Sequence, residues 1–251
     1  MSMKVCVCIK PAWEVFDTYF SSSRGEIDTS AAARQLPVTE RLGIDFASQL
    51  SADEIVAVSW TDAADESVLR QAAAVGATRL VRIECESPEA DRMDPLVVSS
   101  VLVEVLKSVK PEMVFFGYRS PEGGSGAVGP MVAAMLGYAL LPRCVKLWRD
   151  GDLVTFRSLE DGREMSGSAR LPVVVTVHPA AGSPKSPSPL GIRRAMKTPL
   201  EVVRIDAPRS EIDLRAIGTN EFKGRVRQVL EGSPAQMVQM LRAQLRERGA
   251  I

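Results

Sequence analysis

Four times in the first 117 residues a short apolar run is followed by an amphipathic stretch of helical spacing or by a loop, and this alternation restricts the fold more than any other feature. The runs are MKVCVCI at 3–9, EIVAVSW at 54–60, TRLVRI at 78–83 and EMVFFG at 112–117. Each is β-branched and apolar at successive positions, the pattern of a strand buried on both faces of a parallel sheet. Between them, Pro37 stands where a first helical residue would, and Leu42, Ile44, Phe46, Ala47 and Leu50 mark an apolar stripe. Thr61 or Asp62 is placed to cap a second helix carrying Val68, Leu69, Ala72 and Ala73, with Gly76 closing it. Asp94-Pro95 supplies an N-cap and a proline at N1 for a third, ending near Lys110.

The rhythm changes after residue 138. Turn signals at Asp150-Gly151-Asp152 and Asp161-Gly162 separate runs of alternating apolarity, which predicts an antiparallel meander. LPVVVTV, 171–177, returns to a buried strand, and residues 179–199, with prolines at 179, 184, 187, 189 and 199, predict a long loop running into a short basic helix. Ser233-Pro234 opens a terminal amphipathic helix, either a lid on its own domain or an arm for another chain. The expected fold is α/β. An open, mostly parallel, Rossmann-like sheet of the adenine-nucleotide-binding type fills 1–220, helices cover both faces, a small meander is attached, and a C-terminal helical arm occupies 221–251.

With 45% hydrophobic and 25% charged residues, the 251-residue chain is globular in composition, and no run is long enough to span a bilayer. Lys+Arg and Asp+Glu are equal at 31 each, so a nucleic-acid partner is not expected. The balance conceals a division: residues 1–120 hold 12 basic and 18 acidic side chains, the remainder 19 and 13. Cys6, Cys8, Cys85 and Cys144 lack metal or dithiol spacing, and the N-terminal apolar run is too short for a signal-peptide core, so a reducing, cytoplasmic setting is expected. The single histidine, His178, reads as a strand-end residue and leaves little room for histidine-based catalysis. Composition therefore favours a carrier over an enzyme.

The turn after the fourth strand is rich in glycine: Glu122, Gly123, Gly124, Ser125, Gly126, Ala127, Val128 and Gly129, then Pro130 and a helix. Glycines let backbone amides approach an anion, and a helix N-terminus adds its dipole at the carboxyl end of a strand, where open α/β sheets bind ligands. An exposed turn satisfies the same pattern, and neither nucleotide-loop fingerprint is matched. Trp13, Phe16, Tyr19 and Phe20 either stack on a flat cofactor or anchor their own loop. Cys6 and Cys8 share one face of the first strand.

Several of these segments together resemble the β subunit of electron transfer flavoproteins, including FixA-type relatives, over essentially the whole chain. VCVCIK is similar to the family's opening strand. VSWTDAADESVLRQAAAVGATRLVRI resembles its strand–helix–strand with an A-x-G-A-x-R turn, and LPVVVTV with GIRRAMKTPLEVV resembles its signature region. The resemblance implies an electron carrier, not an enzyme: a heterodimer whose FAD is held mainly by the α subunit and touched by β. AMP or a second FAD is then expected in β itself. By position it places Cys8 and Trp60 near the adenosine and the stretch from Glu122 to Gly129 around phosphate. Gly124 and Ala127 stand where the family carries aspartate and glutamine, the asparagine expected near Leu36-Pro37 is missing, and Trp60 replaces a small residue. Val128-Gly129-Pro130 is closer to the electron-bifurcating form.

The resemblance also makes the 182–192 segment a recognition loop for a flavin dehydrogenase, with Lys185, Pro189, Leu190 and Ile192 as its contact residues. Two other readings share the fold. One is a stand-alone nucleotide-binding protein of the stress-protein type; the other is a paralogue that pairs with α but has lost the nucleotide of β. Neither a membrane-inserted segment nor bond-making chemistry is expected.

Overall fold

The computed structural model describes residues 3–14, 18–21, 26–86, 92–212 and 229–250. Phe16 lies outside them, as does the expected boundary near 220–221, and so do the side chains of Tyr19 and Phe20. Two compact units separate, the larger within Met1–Tyr19 and Ile27–Ile217, the smaller within Phe20–Glu26 and Gly218–Ile251.

The larger unit is built on a nine-stranded sheet: β1 (Lys4–Cys8), β2 (Glu54–Trp60), β3 (Arg79–Glu84), β4 (Met113–Gly117), β5 (Ala139–Asp150), β6 (Leu153–Glu160), β7 (Arg163–Arg170), β8 (Val173–Val177) and β9 (Leu200–Arg204). In space they run β7-β6-β5-β8-β4-β1-β2-β3-β9. All neighbours from β5 to β9 are parallel, while β6 and β7 join as the antiparallel meander. The two-residue period of a strand divides the side chains. Val5, Val7, Ile55, Ala57, Met113 and Phe115 enter one core; Cys6, Cys8, Val56, Val58, Val114 and Phe116 enter the other. Both faces are buried, and each fully buried valine contributes about 1.5–3 kcal/mol relative to an exposed one.

Helices α1 (Val38–Gln49) and α2 (Glu66–Val75) cover the first face, and α3 (Pro95–Val109) and α4 (Val128–Leu136) the second. Asp94 caps α3 by accepting the Leu96 N–H at 2.8 Å, as its sequence predicts. The start of α2 differs. Asp65 is its N-cap residue and makes no side-chain cap bond, its carboxylate instead accepting the Thr61 hydroxyl, while Asp62 is engaged by Arg92. The 179–199 segment runs, as expected, into a short basic helix, α5 (Pro189–Ala195), which buries Gly191 and Ala195. After it, Leu200–Arg204 forms β9, an edge strand that the sequence reading missed.

In the smaller unit α6 (Pro234–Glu247) starts with a capping box, Ser233 and Gln236 satisfying each other's backbone N–H. Val238, Met240 and Leu241 are exposed along it. No helix among the described residues is long and apolar enough to cross a membrane.

Candidate functional site

Strands β1 and β4 are adjacent, yet β1 leads into α1 on one face while the chain after β4 enters α4 on the other. Such a reversal opens a crevice at the carboxyl ends of the strands. It is present here as a cavity of about 580 Å³. One wall is Ala12 to Glu14, the floor is Gln35 to Thr39 with Arg41, and the other wall is Tyr118 to Pro121 with Gly124 and Pro179.

An anion in such a fold often sits at the N-terminus of the helix following β1. That place is filled by the chain's own carboxylate. Glu40, third residue of α1, is 4% exposed, receives the Thr39 hydroxyl at 2.7 Å, and lies where a side chain on Gly117 would have to go. Burial pushes its carboxyl up to about 7 against the hydrogen bonds from Thr39 and from the backbone amides of Glu40 and Lys10. The other helix at this end of the sheet, α4, begins at Val128 after Ala127 with no side-chain cap.

The glycine-rich stretch is partly committed to itself. The Gly123 and Gly124 amides bond to the Ser120 hydroxyl at 3.2 and 3.3 Å, Gly124 also to the Ser120 carbonyl, and the Ala127 amide to the Ser125 hydroxyl at 3.4 Å. Gly126 has φ +64°, and a Cβ there would stand 2.8 Å from the Tyr118 carbonyl oxygen, so the turn requires glycine. Gly129 is pressed against Thr176 and Phe116 and seats α4 on β8 and β4. Glu122 accepts the Trp13 N–H at 3.2 Å and stands 3.7 Å from Arg34.

Arg34 ties the rim together. It donates to the Pro11 carbonyl at 3.2 Å, lies 4.3 Å over the Trp13 ring, and pairs with Asp65 at 3.4 Å as well as Glu122. The loops after β1, β2 and β4 thus meet at one guanidinium. Opposite, Arg119 stacks on Tyr118, whose ring is 4.9 Å from that of His178. His178 accepts the Ala180 N–H through Nδ1, and its pKa is lowered by burial and by Arg143.

Cys8 and Trp60 are not among the lining residues of this crevice. Both lie on the α3/α4 face of the sheet, Cys8 in the core with Cys6 and Trp60 packed against it. Burial pushes the Cys8 thiol well above its ordinary value, so it is no thiolate. Arg92 lies 5.6 Å over the Trp60 ring and grips Asp62 through two bonds of 2.8 and 3.0 Å, holding that carboxyl below its usual range. The crevice therefore brings Gly124 together with Trp13, Thr39 and Arg41, while Cys8 and Trp60 belong to the core under α3 and α4, against which Val128 also packs.

Lys185, Pro189, Leu190 and Ile192 form a separate surface around α5. The Lys185 N–H bonds to Asp45 at 2.9 Å, Pro189 is the first helical residue, and Leu190 is 76% exposed. Sequence reasoning missed Arg34, whose partners lie far off in sequence. Pro37 proves to be the N-cap of α1 and not its first residue; Glu40 was missed, although an acid three residues after an N-cap is a readable signal. Among the described residues there is no cluster of three or more His, Cys, Asp or Glu suited to a metal ion.

Residues 29–208 match the family model for the electron transfer flavoprotein domain. The electron transfer flavoprotein subunit beta of Methylophilus methylotrophus is 31% identical over 76% of this chain and 71% of its own length. That of Bacillus subtilis is 28% identical over 90% and 91%, and that of Homo sapiens 28% identical over 60% and 59%. Together with the parallel sheet and its switch-point crevice, these likenesses establish that the chain belongs to the electron transfer flavoprotein family, as a β subunit.

Proposed function

We propose that this chain is the β half of a cytoplasmic heterodimer that carries electrons through an FAD held mainly by the α subunit. The observation supporting it is the switch-point crevice, whose walls fit a flat, phosphate-bearing group. Trp13 and Tyr118 offer aromatic surface and Arg41 and Arg119 offer positive charge; the chain from the lining residue Gly124 leads on to the uncapped start of α4. When bound, a flavin supplies reversible one- and two-electron redox chemistry. The chain's own residues bind, orient and exclude water, and no bond-making step is assigned to them.

AMP or a second FAD is the proposed ligand of β itself, with the stretch from Glu122 to Gly129 at its phosphates and Cys8 and Trp60 on the side of the adenosine. The α6 helix is assigned to the α subunit, and Lys185, Pro189, Leu190 and Ile192 to a flavin dehydrogenase. A second reading, that β has lost its nucleotide, is favoured by the Trp60 ring packed under Arg92 and by the internal bonding of the Gly123 and Gly124 amides.

Co-expression with an α-subunit chain, followed by denaturation of the purified complex and quantitation of released FAD and AMP, tests both. Failure to form a complex overturns the main reading, as does AMP binding by the chain alone with no affinity for α. One FAD per complex without AMP selects the second reading, and two nucleotides per complex select the first.

A further inference from the structure

Helix α5 has only seven residues, too few to hold itself in water, yet Leu190 within it and Met196 at its C-cap are 76% and 78% exposed. Its other stripe is Gly191 and Ala195, both buried. A Cβ at Gly191 would collide with the Ala74 carbonyl oxygen, so the backbones of α5 and α2 touch there. One side chain of α2 completes the attachment. Arg70 Nη1 donates to the Ala195 carbonyl at 3.1 Å and to the Thr198 carbonyl at 2.6 Å, while Nη2 bonds to Glu66 at 3.2 Å. These carbonyls lie at the end of α5, where intrahelical donors run out and a cation is favoured.

From these contacts we propose that Arg70 is a positioning residue for partner docking: it touches no partner, but locks α5 onto α2 so that Leu190 and Met196 form a preformed surface. A surface already ordered loses less entropy on association. Arg193, Arg194 and Lys197 are exposed within one turn of one or both of these two apolar residues in the chain, so the matching partner is an apolar pocket rimmed by carboxylates. The inference rests on the reading of α5 as a docking surface and adds what holds that surface in place.

The native cysteines are all buried, which allows a nitroxide to be placed selectively at Leu190→Cys in the full chain. Arg70→Ala is expected to add a fast-tumbling component to its spectrum and to speed amide exchange over residues 189–198 by about tenfold, the effect of losing charge-assisted bonds at a half-exposed site. Arg70→Lys, which keeps the charge and one donating nitrogen, should restore much of the slow spectrum. Glu66→Gln frees the guanidinium without touching α5 and should give an intermediate result, guarding against a variant that merely folds poorly. An unchanged spectrum and unchanged exchange in Arg70→Ala overturn the proposal. No partner enters these measurements, so failure of the docking reading, seen as unimpaired electron delivery by Leu190→Ala in the α-containing complex, is a separate result.

Discussion

Replacing Glu40 with glutamine should change the pH dependence of stability in a defined direction. In the folded chain the carboxyl titrates near 7, against an ordinary value of 4.5, because burial penalises its charge. Between those values the folded state holds a proton that the unfolded state has released, so stability is greatest below about 4.5 and declines as pH rises through 7. At roughly 1.4 kcal/mol per pH unit the interval corresponds to about 3 kcal/mol, and the side chain is too deeply buried for solvent to screen much of it. Glu40→Gln cannot ionise and removes this decline. Part of the gain is offset, because the amide must reorganise the bond from Thr39. Denaturant unfolding at a series of pH values from 5 to 8.5 measures the difference between the two proteins, in which the other titrating groups cancel. Parallel stability curves would refute the reasoning, since they would mean that Glu40 is ionised or solvated in the folded chain much as in the unfolded one.

Gly129→Ala should destabilise by about 1–3 kcal/mol, because its Cβ would stand 2.8 Å from the Thr176 methyl and push α4 from the sheet; thermal unfolding measures it. Arg34→Ala should release the loops after β1, β2 and β4 from one another, so that amide exchange rises at Trp13, whose N–H bonds to Glu122. Trp60→Gly should empty the space under Arg92 and raise AMP affinity of the α-containing complex in calorimetry; equal affinity in both proteins would show that Trp60 does not occlude the site. Leu190→Ala should slow electron delivery from a dehydrogenase that docks on α5 while leaving the melting temperature within about 0.5 kcal/mol equivalent, as expected of a surface substitution.

Much of the fold was legible because its signals are local. Asp94-Pro95 specifies a cap and a first helical residue without help from the rest of the chain, and the β-branched runs are buried on both faces wherever they lie in the sheet. β9 was missed because Leu200–Arg204 is a half-exposed edge strand that begins after Pro199, with a glutamate and an arginine in five residues. The capping of α2 was misread because Asp62 has a stronger partner in Arg92, thirty residues away. At the crevice, residue types were readable but their meeting was not. Strand parity puts Cys8 beside Cys6, yet which helices cover that face, and so the burial of Cys8 away from the crevice lining, follows only from the topology.

The segment that carries α5 leaves the carboxyl end of β8 and re-enters the sheet at the amino end of β9, with four strands between them. On the way it is fastened to α1 at Asp45 and to α2 at Arg70. It is therefore a tether laid across the helical layer, anchored at its far end by the β3–β9 pairing at the edge of the sheet. A chain cut before residue 200 would lose that pairing as well as the end of the tether, leaving β3 as an unprotected edge and exposing to aggregation a molecule whose crevice residues are all still present.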